Sequence, residues 1–289
     1  MKGERRTSLA FLAPLYLTVG LFVLAPVVAT LVDSTLRDVV WLPVRFVALE
    51  NYAAVAADPL FRESLRFTLL FTLVSVPLEL VLGLGIALVL NGALPFRGLL
   101  RACVLVPWAI PSAVSARVFE LVYDYGHGAA NAVLRALHLT QEPVNWLGTS
   151  AGAFAAVVVA DAWKTTPFVA ILFLAGLSAI PDDLYRQARV DRAGLFQRFA
   201  FITLPMLRPV IVVALLFRTI EALRVFDAVY VLTGGGPGGS TMSLSLHAYD
   251  YLASGDFGYG SALSAVLFAV ALALSILYVR FGRFAEAVA

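Results

Sequence analysis

The chain has 289 residues, 61% of them hydrophobic and 14% charged, with a mean hydropathy of +0.88 and a formal net charge of +2. Soluble domains run nearer half apolar and a quarter charged, so this balance excludes a disordered chain, a basic nucleic-acid-binding domain and a soluble single-core enzyme. Cys103 is the only cysteine, and His127, His138 and His247 have no ligand spacing, which excludes an internal disulfide and a thiolate metal cluster.

In chain order, the basic stretch Met1–Ser8 leads into an apolar run at 9–32. A cleavable signal has an apolar core of about 7–15 residues. This run is longer, so it reads as an uncleaved first span. A loop at 33–66 carries Trp41 and Tyr52, and a second span follows at about 67–90. The third, at about 99–121, holds Arg101, Pro107, Pro111 and Arg117. Prolines survive in membrane helices where neighbours re-satisfy the freed carbonyls, so a kinked or broken helix is expected there. After a loop at 122–150 with Trp146 come spans at about 151–179, 209–232 and 261–280. Thr233–Ser240 is a glycine-rich turn between the last two. The fold class is therefore an all-α polytopic membrane protein, one membrane domain over 1–289 with six spans.

Charge sets the orientation. With a cytoplasmic N-terminus, the inside segments hold Lys2, Arg5, Arg6, Arg97, Arg101, Arg186, Arg189, Arg192, Arg198, Arg208, Arg280 and Arg283. The outside loops hold Arg37, Arg45, Arg62, Arg66 and Arg135. Twelve against five satisfies the positive-inside rule, which puts both termini in the cytoplasm.

The longest inside segment, 181–208, begins Pro181-Asp182-Asp183. Proline and two acids in a first turn suit a helix start. Asp191-Arg192-Ala193-Gly194 reads as a break, and Leu195, Phe196, Phe199, Phe201 and Ile202 form an aromatic face ending at Leu204-Pro205. Two short helices joined by a turn fit a docking element, and they fit equally an amphipathic helix on the lipid surface.

The run Arg186-Gln187-Ala188-Arg189-Val190-Asp191-Arg192-Ala193, with Phe199, Ile202, Leu204 and Pro205 in register, resembles the EAA motif of ATP-binding-cassette importer permeases. Arg186 stands at the motif glutamate and Arg192 at its glycine. Val225–Thr233 with the following Gly-Gly-Gly-Pro is similar to the maltose/glycerol-phosphate branch of those permeases. The resemblance implies a six-helix permease of the type I importer kind in a bacterial cytoplasmic membrane, forming half of a sugar translocation pathway. It implies a coupling segment in which Arg186, Gln187, Ala188, Asp191, Arg192, Ala193, Gly194 and Phe199 meet a separate ATPase. The implied partners are a second homologous permease chain, an ATPase dimer and an extracytoplasmic substrate-binding protein, with no nucleic acid. No cofactor is expected on this chain, whose glycine-rich turn lacks the Gly-Lys-Ser/Thr ending of a P-loop. ATP and Mg belong to the ATPase, so the chain is not expected to be an enzyme.

Ionisable residues inside the spans are functional candidates by default. They are Glu79, Arg117, Glu120, Asp161, Lys164, Arg218, Glu221, Arg224 and Asp227, four positive and five negative. Asp161/Lys164 and the ladder Arg218, Glu221, Arg224, Asp227 have helical ion-pair spacing. An anion route would show surplus cation. The near cancellation points instead to a neutral di- or oligosaccharide rather than glycerol phosphate or a glycerophosphodiester. Asp161, Trp163, Lys164, Glu221, Arg224 and Asp227 are the expected substrate path, with Phe168, Phe226 and Tyr230 as stacking faces. Two other classes compete: a membrane-embedded lipid- or sugar-modifying enzyme, which needs a nucleophile or metal cluster, and a passive channel.

Overall fold

The computed structural model describes residues 2–92 and 95–282. Of the inside charges counted above, Arg283 lies outside the described residues, as do the side chains of Lys2, Arg5 and Arg6. In chain order the elements are α1 (Lys2–Val19), α2 (Ala25–Asp33), β1 (Leu36–Arg37), β2 (Arg45–Phe46), α3 (Glu50–Ala57), α4 (Pro59–Asn91), α5 (Arg97–Ala109) and α6 (Ser112–Val122). Then come α7 (Ala129–Ala136), α8 (Ser150–Ser178), α9 (Asp182–Val190), α10 (Leu195–Arg198), α11 (Leu204–Leu223), α12 (Asp227–Leu232), α13 (Leu244–Ser254) and α14 (Phe257–Gly282). A π-helical turn at Gly20–Leu24 joins α1 to α2, and another at Phe199–Thr203 joins α10 to α11.

Among the described residues, five helical stretches are long and apolar enough to cross a membrane: Phe11–Asp33, Pro59–Asn91, Ser150–Ser178, Leu195–Leu223 and Phe257–Tyr278. The pair α5 and α6, bent by 88°, makes a sixth if counted as one span. The expected break in the third span is therefore present, and its cause is local. A residue before proline is pushed out of the helical region; Ile110 is extended at ψ 133° and Pro111 at ψ 140°.

The fifth span differs from its expected 209–232. Its helix starts at Leu195 and stops at Leu223, and a non-helical step at Arg224–Phe226 precedes the short α12. The aromatic face after Gly194 is accordingly the first turns of this span, and no separate helix ends at Leu204-Pro205. The π-turn accommodates Pro205, which lacks an N–H. The expected charge ladder is cut for the same reason, since Arg224 lies past the helix end.

The chain divides into two compact units, residues up to 62 with 247–269, and residues 63–246 with those from 270 on. In the first, β1 and β2 pair antiparallel with Leu36 opposite Phe46 and Arg37 opposite Arg45. Asn51 Nδ2 donates to the carbonyls of Ser34 and Leu36 at 2.9 and 2.7 Å, tying α3 to the strand entry. Tyr259 Oη donates to Asp58 at 2.9 Å, and His247 Nε2 lies 3.4 Å from the same carboxylate. Burial lowers the His247 imidazole below its ordinary value, against the pull of Asp58 and Asp250.

In the second unit α8 is the axis, packing against α5, α6, α11 and α12. Two apolar clusters form along it. One gathers Phe67, Phe71, Val76, Val157, Ala160, Ala222 and Val229; the other gathers Ala87, Val169, Phe173, Leu174, Leu207 and Ala214. Glycines bring the helices together: a Cβ on Gly83 of α4 would stand 2.7 Å from Val169 Cγ1, and one on Gly176 of α8 would stand 2.8 Å from Leu207 Cδ2. The Thr233–Ser240 segment is a compact turn in which Gly234, Gly235, Gly238 and Gly239 have positive φ. The buried Thr241 hydroxyl closes it, 2.8 Å from Thr233 Oγ1 and 2.6 Å from the Gly236 carbonyl.

Gly83→Val should cost about 1–3 kcal/mol through overpacking against α8. Gly85→Val, at a position with nothing within 4 Å, should leave stability unchanged. Thermal unfolding of both variants in one detergent would show the difference; equal losses would contradict the close α4–α8 approach.

Candidate functional site

Between the two apolar clusters lies a layer of charge. Glu79 sits on α4 between Val76 and Ala87, Asp161 on α8 just past Ala160, and Arg218 on α11 between Ala214 and Ala222. Arg218 is 2% exposed and Glu79 0%. Arg218 Nε donates to Glu79 Oε2 at 2.5 Å and Nη2 to Oε1 at 2.9 Å, a bidentate fork. Its Nη2 also reaches Asp161 Oδ2 at 3.0 Å and its Nη1 reaches Glu221 Oε2 at 2.6 Å. One guanidinium thus holds three carboxylates from three helices.

Asp161, Arg218 and Glu221 border a cavity of about 190 Å³, with Lys164, Thr165, Arg224 and Asp227, the hydroxyls of Ser112 and Ser115, and the rings of Trp108 and Phe226. The two broken helices end here. Ser112 opens α6 after the Pro111 break, and Asp227 opens α12 after the Arg224–Phe226 break. Irregular backbone at membrane depth is tolerated where it borders a watery cavity or protein. Both conditions meet at this point.

Of the substrate-path residues read from the sequence, Asp161, Lys164, Glu221, Arg224 and Asp227 come together at the cavity. Trp163 does not. It borders an apolar groove of about 460 Å³ with Leu78, Leu82, Ile86, Cys103 and Pro107, on the other face of α8, and packs edge-on to Phe119 at 5.5 Å. Phe168 stacks on Trp108 at 5.8 Å, and Phe226 on Tyr230 at 5.3 Å. Among the described residues no ion pair joins Asp161 to Lys164 or Glu221 to Arg224, because Arg218 takes both acids. Arg117 and Glu120 do pair with each other. Glu79, counted among the ionisable residues of the spans, was not placed with the site, because its partner lies 139 positions away and no local spacing pairs it.

The second site is the 181–208 segment. Pro181 precedes α9, whose first turn holds Asp182 and Asp183, as expected. The helix ends in a Schellman motif: Ala193 N–H donates to the Ala188 carbonyl at 2.8 Å and Arg192 N–H to the Arg189 carbonyl at 3.1 Å. Arg192 occupies the left-handed position at φ 59°, where glycine carries no steric penalty. The glycine of the EAA motif falls on this residue, so its preference there has a backbone cause. Gln197 Oε1 accepts from Gly194 N–H at 2.8 Å and so starts the next helix. Tyr185 Oη and Thr203 Oγ1, 2.9 Å apart, tie α9 to the π-turn.

A hollow of about 290 Å³ opens between these helices, lined by Ala188, Asp191, Ala193, Gln197, Arg198, Phe201 and Ile202. Arg186 is paired with Asp183 at 2.6 Å, Gln187 is exposed and Phe199 is half-buried at the start of the π-turn; none of the three lines the hollow. Val190, Leu195 and Phe196, each 81% exposed, leave an apolar surface beside it.

Residues 79–286 match the family model described as binding-protein-dependent transport system inner membrane component. The chain belongs to that family. It is 51% identical over 282 residues to the trehalose/maltose transport system permease protein MalF of Thermococcus litoralis, covering 97% of this chain and 95% of that one. It is 41% identical to the sulfoquinovosyl glycerol transport system permease protein SmoG of Agrobacterium fabrum, covering 97% and 92%. To the trehalose transport system permease protein SugA of Mycobacterium tuberculosis it is 37% identical, covering 96% and 89%. A bacterial ABC transporter involved in the import of the acidic polysaccharide alginate has the same fold, with a TM-score of 0.84 at 22% identity, covering 98% of this chain and 97% of that one. The protein is thus an ABC-transporter permease of the carbohydrate-importer type, a multi-pass inner-membrane component that works with a binding protein. It is a transport component, not an enzyme, in a family without cofactors of its own. Among the described residues no His/Cys/Asp/Glu group has the arrangement of a metal site.

Two substitutions test the charge layer of the permease. Arg218→Met strands Glu79 as a buried charge and should cost about 3–5 kcal/mol. Adding Glu79→Leu should recover much of the loss, because no uncompensated charge then remains between α4 and α11. Thermal unfolding of the singles and the double in detergent measures the coupling; additive losses would contradict the pairing.

Proposed function

We propose that this permease forms half of the translocation path of an ATP-driven importer for a neutral di- or oligosaccharide of the trehalose or maltose kind. The observation that carries the reading is the cavity at the two helix breaks. Its lining includes Lys164, Arg218 and Arg224 against Asp161, Glu221 and Asp227, so the formal charges cancel. Arg218 fixes one oxygen each of Asp161 and Glu221, leaving their remaining lone pairs to accept sugar hydroxyls. Trp108 and Phe226 offer apolar faces, and Ser112, Ser115 and Thr165 offer hydroxyls. Such a mix suits a polyol, which carries many hydroxyls and no charge. Glycerol phosphate would need surplus cation, and Glu79 behind Arg218 moves the balance further the other way. The 51% identity to a trehalose/maltose permease along nearly the whole chain supports the same substrate class.

In this reading six spans form a single membrane domain with both termini cytoplasmic. The full assembly holds a second homologous permease chain, two copies of an ATPase that binds ATP and Mg, and an external binding protein that delivers the sugar. The 181–208 segment meets the ATPase through Ala188, Asp191 and Ala193 at the hollow, with Arg186, Gln187, Arg192, Gly194 and Phe199 shaping its surroundings. A packed helix pair transmits rigid-body motion, and ATP-driven closure of the ATPase would shift the balance between inward- and outward-open states.

The cognate binding protein should bind trehalose or maltose tightly and stimulate ATP hydrolysis by the reconstituted complex with these sugars. Stimulation only by glycerol phosphodiesters would overturn the neutral-sugar reading. Glu221→Gln should raise the KM for sugar roughly tenfold with little change in basal ATP hydrolysis, the loss of one charged hydrogen bond. Ala193→Trp fills the hollow and should abolish ligand-stimulated hydrolysis while the complex still assembles. Full stimulation in that variant would refute the coupling assignment.

A further inference from the structure

The hairpin formed by β1 and β2 contributes no residue to the cavity of the charge layer, yet its surface is unusual. Arg37 and Arg45 are directly opposite each other across the strands, so their side chains share one face. Like charges in that position repel unless an anion joins them. Among the described residues neither arginine has a carboxylate within ion-pair distance, although Asp33 and Asp38 are close in sequence. Both line a hollow of about 340 Å³ whose other walls are Leu42, Pro43 and Val44.

The tip is apolar and bare. Val40, Trp41, Leu42 and Val44 are exposed, Trp41 to 97%. The hairpin is held in place, since Asn51 binds the carbonyls of Ser34 and Leu36, Val40 N–H donates to the Gly255 carbonyl and Phe257 N–H donates to the Asp38 carbonyl. It starts directly after the membrane-length stretch Phe11–Asp33. Arg37 is four positions on from Asp33, at most about 14 Å of extended chain. The turn at Ser34–Thr35, closed by Thr35 N–H on the Val32 carbonyl at 2.9 Å, shortens that reach. The hairpin base is therefore at the level of the polar headgroups.

We propose that the 36–46 hairpin is a phospholipid-headgroup site, in which Arg37 and Arg45 share one phosphate and Trp41, Leu42 and Val44 sit at the boundary of the acyl region. Arginine forks match phosphate oxygens, and tryptophan with aliphatic neighbours favours the membrane interface. The arginine pair alone would suit any phosphate. Three apolar walls beside it, and a bare tryptophan at the tip, select a ligand with both an anionic head and a hydrocarbon body. The occupant is an anionic phospholipid such as phosphatidylglycerol.

The test uses the complete transporter complex in mild detergent, titrated with short-chain phosphatidylglycerol and read by native mass spectrometry. Arg37→Gln with Arg45→Gln should weaken the tightest lipid site roughly 20-fold, the loss of two interfacial arginines. Arg37→Lys with Arg45→Lys should weaken it less, and phosphatidylcholine should bind weakly to every form. Sodium phosphate at matching concentration should not displace the lipid; full displacement would make this a free-phosphate site and overturn the proposal. As a check on the unaltered hairpin, tryptophan emission of the complex in nanodiscs with brominated lipid should be quenched more than in Trp41→Phe. Equal quenching, or unchanged lipid affinity in the glutamine variant, would refute the site. Unchanged lipid affinity with reduced binding-protein-stimulated ATP hydrolysis would reassign the surface to a protein contact.

Discussion

A guanidinium removed from water must be matched by acceptors on every side, and the membrane unit is arranged around that requirement. Arg218 has almost no solvent exposure, so each of its donor groups finds a carboxylate within the bundle. Glu79 is its fixed partner, fully enclosed and held by two hydrogen bonds. Asp161 and Glu221 are shared with the cavity. The same residue therefore does two kinds of work, tying α4, α8 and α11 at one depth and orienting two acids toward the open side. The apolar clusters above and below this layer pack as they do because the charges keep to one level.

The two interruptions in the spans have different origins. At Ile110–Pro111 proline imposes the break, and the chain turns by 88°. At Arg224–Phe226 no proline or glycine is present, and the interruption is held by surroundings rather than by the local sequence. What the two breaks share is the cavity, which supplies polar company to backbone groups that a hydrocarbon environment would leave unsatisfied.

This difference explains how much the sequence disclosed. Apolar run length picked out the membrane-length helices, though not the bounds of the fifth, and prolines located the kink, because both are local properties. The first turn of α9 was legible from Pro181, Asp182 and Asp183, and its end from the run after Val190. The end of α11 was not legible, since nothing in Leu223–Asp227 punctuates a helix, and the ladder of charges there suggested continuity. The pairing of Arg218 with Glu79 and Asp161 was hidden for a related reason. Spacing of three residues favoured Asp161 with Lys164 and left Glu221 between Arg218 and Arg224, whereas Arg218 took both acids, Glu221 from its own helix and Asp161 from α8. Trp163 illustrates a finer limit: two residues from Asp161, it lies on another face of α8. Register around a helix decides which neighbour enters a cavity, and proximity in sequence does not.

The stretch Leu195–Leu223 is one helical rod across its π-turn, 29 residues long. At about 1.5 Å per residue it measures some 43 Å, close to the full depth of a bilayer with its headgroups. Its first turns wall the hollow beside α9, and its last two turns carry Arg218 and Glu221. An α-helix is stiff along its axis, so an axial displacement imposed at the Leu195 end arrives at the guanidinium with little lost to bending. The hollow and the guanidinium therefore stand on one continuous helical element, and no relay of side-chain rearrangements is needed to bridge the distance between them.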